Sequence, residues 1–210
     1  MRAPLPKCFY DRPTEIVARE LLGAVLECTT PDGMTRARIV ETEAYTGPED
    51  PACHAAAGLT RRTAHLFGPP GAAYVYLIYG MYWCVNAVTR EAGHGSAVLV
   101  RAVAPIQGVE LMRRRRPRVR TDRDLTNGPG KLCLAMGIDG TMSGTSLRTG
   151  PVIIRAGESI DDAQVVVTPR IGISKAAEWP LRFFVKEDPF VSATPRHFPR
   201  RPWSRANDDK

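Results

Sequence analysis

The sequence has no apolar run long enough to cross a membrane, and its first seven residues, with two prolines and two cations, lead into no hydrophobic stretch. Neither a membrane span nor a secretory signal is expected, and a cytoplasmic location is the expectation. Cysteine is sparse: five residues (Cys8, Cys28, Cys53, Cys84, Cys133), an odd number with no Cys-x-x-Cys pair. That pattern suits reduced thiols and argues against a disulfide framework or a zinc site. Cys53 beside His54 is at most half of a metal site, because no further residues stand at ligand spacing. Internal repeats and a domain linker are also missing, and neither metal nor cofactor is expected.

What is present is a chain of 210 residues, 43% hydrophobic and 24% charged, enough to bury the core of one domain. Lys and Arg number 29 against 22 Asp and Glu, a formal net charge of +7. Such a balance favours an anionic partner, nucleic acid ahead of an acidic membrane.

Local patterns predict alternating elements. Pro13 ahead of residues 14–22, with Gly23 after them, reads as a short helix. Residues 25–28 and 35–45 read as strands joined at Pro31-Asp32-Gly33, a hairpin signal. The polar, Gly/Pro-rich stretch 48–71 is a long loop of the kind that carries function. Strands are expected at 73–79, 82–88 and 97–103, helices at 105–113 and 129–136, and short strands at 152–155, 165–168 and 181–185. Between the two helices, residues 113–123 form a basic segment with seven arginines. Residues 8–194 make the domain, and 195–210 read as a disordered basic tail.

Alternation along a strand places Glu41, Glu43 and Tyr45 on one face, with an aromatic ring beside a carboxylate. In Tyr74-Val75-Tyr76-Leu77-Ile78-Tyr79-Gly80-Met81-Tyr82, Tyr76 lies inside a strand and Tyr79 at the lip of a turn. Singly, a Glu is usually a solvated strand end and a Tyr-rich strand is usually packing. Jointly, a carboxylate, several aromatics, a loop with His54 and a basic segment are the parts that hold an extruded base.

At this point the chain resembles the alkyladenine (3-methyladenine) DNA glycosylases from about residue 9 to 194. The resemblance rests on Arg38-Ile39-Val40-Glu41-Thr42-Glu43-Ala44-Tyr45 with Gly47-Pro48-Glu49-Asp50, on Phe67-Gly68-Pro69-Pro70-Gly71, on the Tyr74–Tyr82 block, and on Gly128-Pro129-Gly130-Lys131-Leu132-Cys133. It implies a single α+β domain with a curved, mainly antiparallel β-sheet surrounded by helices. It also implies a monomeric, monofunctional enzyme that flips alkylated or deaminated purines out of duplex DNA and hydrolyses the N-glycosidic bond. By position, Glu43 resembles the general base and Arg101 a residue that positions the attacking water, helped by a backbone carbonyl between residues 170 and 174. Tyr45, His54 and Tyr76 resemble the residues that sandwich the base, Asn86 the one that disfavours guanine, and Tyr79 the wedge that fills the vacated stack.

Physical chemistry agrees with these roles. Stacking rewards a cationic alkylated purine, and a carboxylate can stabilise an oxocarbenium-like sugar while activating water. No lysine stands at the matched catalytic position, so hydrolysis without strand cleavage is expected. Glu41 reads as structural, and His54 is open to a titrating role besides stacking. Lys131, at a helix start, and Arg113, Arg114, Arg115 and Arg116 are expected on the phosphate backbone, positioning without specifying sequence. Ala55-Ala56-Ala57 departs from the family's more polar stretch. The rival reading is a noncatalytic nucleic-acid-binding module of related fold, for which Glu43 has no use.

Overall fold

The structure, a computed structural model, describes residues 2–204. A single helical turn, α1 (Lys7–Tyr10), leads into α2 (Thr14–Glu20). Pro13 sits immediately before α2, where its fixed φ and missing N–H cost nothing. The helix ends at Glu20, short of the expected 22, and the buried Leu21 and Leu22 follow in a turn. Gly23 closes that turn at φ +85°, where an added Cβ would lie 2.1 Å from the Glu158 carbonyl.

Next come β1 (Val25–Thr30) and β2 (Gly33–Tyr45), then the long loop with two 3-10 turns, β3 (Ala73–Ile78), β4 (Tyr82–Thr89) and β5 (Ser96–Gln107). Beyond these lie α3 (Val109–Arg115), α4 (Asp122–Thr126), α5 (Pro129–Met136), β6 (Val152–Arg155), β7 (Val165–Thr168), β8 (Arg182–Val185) and β9 (Arg201–Pro202). Among the described residues the strands form one antiparallel sheet in the order β3-β4-β5-β2-β8-β7-β9, with β1 bridging β2 and β6. This is the expected α+β class.

The long strand β2 is the hub of the sheet. Its first half pairs with β1, its second half with β8, and β5 runs along most of its length. The β2–β5 register slips around Glu41, passing over Val40 on one strand and Arg101 on the other. Such bulges bend a strand and re-aim its side chains, and this one aims Arg101 at the carboxylates of β2. On the other face α5 packs Leu132, Cys133 and Met136, all fully buried, against the sheet. Each such apolar side chain is worth about 1.5–3 kcal/mol relative to exposure.

Three expectations are corrected. The helix expected at 105–113 begins only at Val109: Pro105 and Ile106 continue β5, and Gly108, at φ +77°, provides the break. Pro105 is tolerated in the strand because it lies beside a register shift. The basic segment is not a simple linker, since its end forms α4, capped by the Thr121 side chain accepting from the Asp124 amide. The tail expected to be disordered returns to the sheet up to residue 204. Arg201 and Pro202 pair with Val167 and Val166, and the Trp203 ring packs edge-on against Phe183 at 5.4 Å. Its buried aromatic contact outweighs the proline and arginine content from which disorder was inferred. The rest of that tail, 205–210, lies outside the described residues.

Candidate active site

Glu43 stands near the end of β2 and has no exposed surface. Its Oε1 accepts a hydrogen bond from the Ile171 amide at 2.8 Å, and its Oε2 accepts one from the Tyr45 hydroxyl at 3.0 Å. The Arg101 guanidinium lies 3.3 Å from the same Oε2. An amide, a hydroxyl and a cation give this buried carboxyl hydrogen-bond partners on both oxygens. Glu41, two residues earlier, is equally buried but serves its neighbours. It accepts from Arg101 Nε at 3.0 Å, from Arg182 Nε at 2.7 Å, and from both the amide and the hydroxyl of Ser192. Burial works against the charge on Glu41, but Arg182 and Arg101 outweigh it and hold the carboxyl below its ordinary value. Arg101 thus bridges both carboxylates, which keep its pKa raised despite burial.

In front of Glu43 opens a cavity of 210 Å³ walled by Tyr45, His54, Tyr74, Tyr76, Asn86, Leu99 and Arg101, with Pro129 and residues 171–173 at its rim. It is smaller than the roughly 300–1,000 Å³ of drug-sized sites. Among the described residues its lining contains no carboxylate, and Glu43, hydrogen-bonded to Tyr45 and paired with Arg101, is the acid that adjoins it. His54 and Tyr76 meet edge to face at 4.5 Å, and the Tyr74 ring lies 5.3 Å from Tyr76. His54 Nδ1 and the Tyr74 hydroxyl are 2.9 Å apart. Burial and the nearby Arg62 lower the His54 pKa, so the imidazole is neutral at pH 7. Burial likewise pushes the phenols of Tyr45, Tyr74 and Tyr76 up, Tyr74 to about 12. Asn86 is fixed by donating from Nδ2 to the Tyr74 carbonyl at 2.9 Å.

Outside the cavity, the β3–β4 turn carries Tyr79, 78% exposed and at φ +53°, followed by Gly80 at φ +68°. Two central residues at positive φ make the tight turn that matches strand twist, at the cost of left-handed strain in a tyrosine. Met81 and Tyr82 are exposed beside it. Gly130, at the start of α5, touches Tyr82, so the base of this hairpin and the first turn of α5 are neighbours. Lys131 is exposed there and donates to Asn127 Oδ1 at 2.7 Å. The arginines of the basic segment differ in their surroundings. Arg113 is paired with Asp122 and Glu110, Arg115 donates to Thr30 Oγ1 and the Ala135 carbonyl, and Arg116 donates to the carbonyls of Asp124 and Leu125. Arg114 is exposed on α3.

The methylpurine-DNA glycosylase family model matches residues 8–189. The chain belongs to that family. Among its relatives are proteins named "Putative 3-methyladenine DNA glycosylase" from Methanocella arvoryzae (48% identical, covering 90% of this chain and 95% of the relative), Salinibacter ruber (50%, covering 90% and 96%) and Streptomyces avermitilis (44%, covering 95% and 96%). Membership makes the chain a DNA repair hydrolase acting on N-glycosyl bonds. Among the described residues no helix is long and apolar enough to cross a membrane.

Within this methylpurine-DNA glycosylase, the structure brings Glu43, Arg101, Tyr45, His54, Tyr76 and Asn86 to one place and sets Tyr79 and Lys131 outside it. Sequence reasoning missed the Ile171 amide as a donor to Glu43, having looked there only for a carbonyl. It also missed Tyr74, the partner of His54, and the buried pair Asp50–Arg170 behind Tyr45. Asp50 was visible as the end of a matched block, but nothing in spacing linked it to residue 170.

Proposed function

We propose that this enzyme excises alkylated and deaminated purines, the 3-methyladenine, 7-methylguanine, hypoxanthine and ethenoadenine class, from double-stranded DNA by flipping the base into the cavity and hydrolysing its N-glycosidic bond. The observation that carries this reading is the buried Glu43 carboxylate, held by an amide, a phenol and a guanidinium at the back of a small cavity walled by Tyr45, His54 and Tyr76. A base inside a duplex hides its glycosidic bond, and extrusion costs a few kcal/mol, least at damaged pairs.

In this mechanism the aromatic walls take the flipped purine, and Asn86 crowds the exocyclic amine of guanine. Water enters beside Oε2 of Glu43. Arg101, whose other nitrogen is anchored on Glu41, orients it, and the carboxylate accepts its proton as the oxygen bonds to the anomeric carbon. The leaving purine takes the electrons of the broken bond. A cationic N-methyl purine departs as a neutral base, whereas hypoxanthine needs ring protonation. Among the described residues no lysine lines the cavity, in keeping with water rather than an amine as nucleophile. Tyr79, presented by the strained turn, fills the vacated stack from the minor groove. Lys131 and the exposed Arg113 and Arg114 lie along the phosphates, while Arg115 and Arg116 brace the segment through Thr30 and backbone carbonyls, and the enzyme acts as a monomer.

The test is single-turnover excision from duplexes carrying one hypoxanthine, ethenoadenine or 7-methylguanine, comparing the wild type with Glu43→Gln and using alkali to reveal abasic sites. Abasic sites made by the wild type, with a rate at least about 100-fold lower in Glu43→Gln, support the mechanism. Equal rates remove Glu43 from its role, and binding without release by either protein favours a noncatalytic module.

A further inference from the structure

The ring of Tyr45 has a second occupant. The guanidinium carbon of Arg170 lies over the ring, 4.7 Å from its centroid, and Arg170, unlike Tyr45, does not line the cavity. This cation is buried. Its Nη2 donates to Asp50 Oδ1 at 2.8 Å, its Nη1 donates to Asp50 Oδ2 and, at 3.0 Å, to the Ala44 carbonyl, and its Nε has no partner among the described residues. Asp50 is fully buried and also accepts from the amides of Thr46 and Ala52.

A cation over one face of an aromatic ring draws on the same quadrupole that attracts a cation to the other face. An uncompensated Arg170 would therefore repel, through Tyr45, the positively charged purines for which stacking is most favourable. Asp50 removes that conflict by neutralising the guanidinium where it stands. The other cations facing the cavity are already dealt with: Arg101 is paired with Glu41 and Glu43, and Arg62 is exposed to solvent at the mouth.

We propose that Asp50 is a specificity-determining residue, which by neutralising Arg170 behind Tyr45 sets the preference of the cavity for cationic purines. The inference rests on the reading of Tyr45 as a stacking wall for the flipped base. Asp50 touches neither substrate nor water, so it acts as a positioning and charge-setting group.

The test compares half-saturating enzyme concentrations in single-turnover excision from duplexes containing 7-methylguanine, a cationic base, or hypoxanthine, a neutral one. In Asp50→Asn the 7-methylguanine value should rise about thirtyfold relative to the hypoxanthine value, from one uncompensated charge at roughly 8 Å and an effective dielectric of about 20. A merely structural role would move both lesions together. Because breaking a buried pair threatens folding, a second variant, Asp50→Asn/Arg170→Met, removes both charges and should keep the ratio within about threefold of the wild type. A ratio unmoved in Asp50→Asn, or shifted more than tenfold in the double variant, overturns the proposal while leaving wild-type excision intact. A wild type that releases neither base overturns the glycosylase reading itself, and this inference with it.

Discussion

Replacing Glu41 with Gln should be the most destabilising conservative change near the site. The wild-type carboxylate, with no exposed surface, takes hydrogen bonds from Arg101, Arg182 and both polar groups of Ser192. Arg182 is itself fully buried, and its Nη1 reaches only the neutral hydroxyls of Thr168 and Thr194. Glutamine keeps the shape but leaves two guanidiniums facing the single charge of Glu43, and its amide N–H₂ must point at a donor. Breaking a buried pair this way costs about 3–5 kcal/mol, a large share of the roughly 5–15 kcal/mol that holds a domain together. At about 2–4 °C per kcal/mol for a chain of this size, the thermal midpoint should fall by roughly 6–20 °C. Circular dichroism melts at pH 7 measure this, and Glu41→Leu/Arg182→Met, which removes both partners, should recover most of the loss. The pH dependence has a definite sign. Because the folded Glu41 carboxyl lies below its ordinary value of 4.5, its stabilisation is complete above that pH and is lost as pH falls through the folded value. The gap between wild type and variant should therefore close in acid. A Gln variant melting within about 1 °C of wild type at pH 7 would refute the account of the network.

Other substitutions separate the roles of neighbouring groups. Tyr79→Ala removes a ring with no packing role, so stability should stay within about 0.5 kcal/mol, while single-turnover excision from a lesion-bearing duplex falls at least about tenfold, part of the few kcal/mol that unstacking demands; unchanged excision would end the wedge assignment. Arg114→Ala should lower the slope of log affinity against log salt by about 1 with no change in melting, whereas Arg115→Ala should lose about 1 kcal/mol of stability with the bonds to Thr30 and Ala135. The reverse pattern would exchange their roles. The His54 imidazole, lowered by burial and by Arg62, contributes stability that is complete above its ordinary 6.5 and is lost as pH falls through the folded value. Urea melts should accordingly show the wild type losing ground to His54→Gln between pH 7 and 5, and a gain would contradict the sign. Trp203→Ala should cost about 2 kcal/mol, less than truncation of a fully buried Trp, and an unchanged melt would mean that the end of the chain does not pack.

Which parts of this were legible depends on the range of the interactions. The Asp-Gly turn signal ahead of 35–45, the aromatic and β-branched content of 73–88 and the Gly137 stop after 129–136 are local signals, and they placed β2, β3, β4 and α5 almost to the residue. Glu43, Tyr45 and Tyr76 were within reach for the same reason, since a strand fixes which side chains share a face. The partners that make Glu43 usable lie far away in sequence: Ile171 is 128 residues off, and the pairs Glu41–Arg182 and Asp50–Arg170 span 141 and 120. Only the register of β2 with β8 and the return of residues 170–173 over the end of β2 bring them together. The basic segment shows the same limit from the other side. Its arginines read as one patch, yet Arg115 and Arg116 spend their donors on Thr30 and on backbone carbonyls, which composition does not reveal.

Buried charge alone does not identify the active site of this protein. Glu27, on β1, is gripped by Arg36 and Arg155 much as Glu41 is by Arg101 and Arg182, with bonds at 2.6 and 2.9 Å. The Arg155 bond, against some burial and with help from Arg36, lowers its pKa too. Yet Glu27 adjoins no aromatic cavity, and both its oxygens are committed to guanidiniums. Glu43 differs in what surrounds it. One oxygen is fixed by a backbone amide, and the other faces a phenol and one nitrogen of an arginine whose remaining charge is absorbed by Glu41. The hydroxyl can rotate to donate elsewhere and the guanidinium has further N–H groups, so Oε2 can exchange a protein donor for a water molecule without becoming unpaired. In the proposed mechanism that exchangeability, together with the aromatic walls in front of it, is what would let Glu43 take a proton while Glu27 only ties strands together.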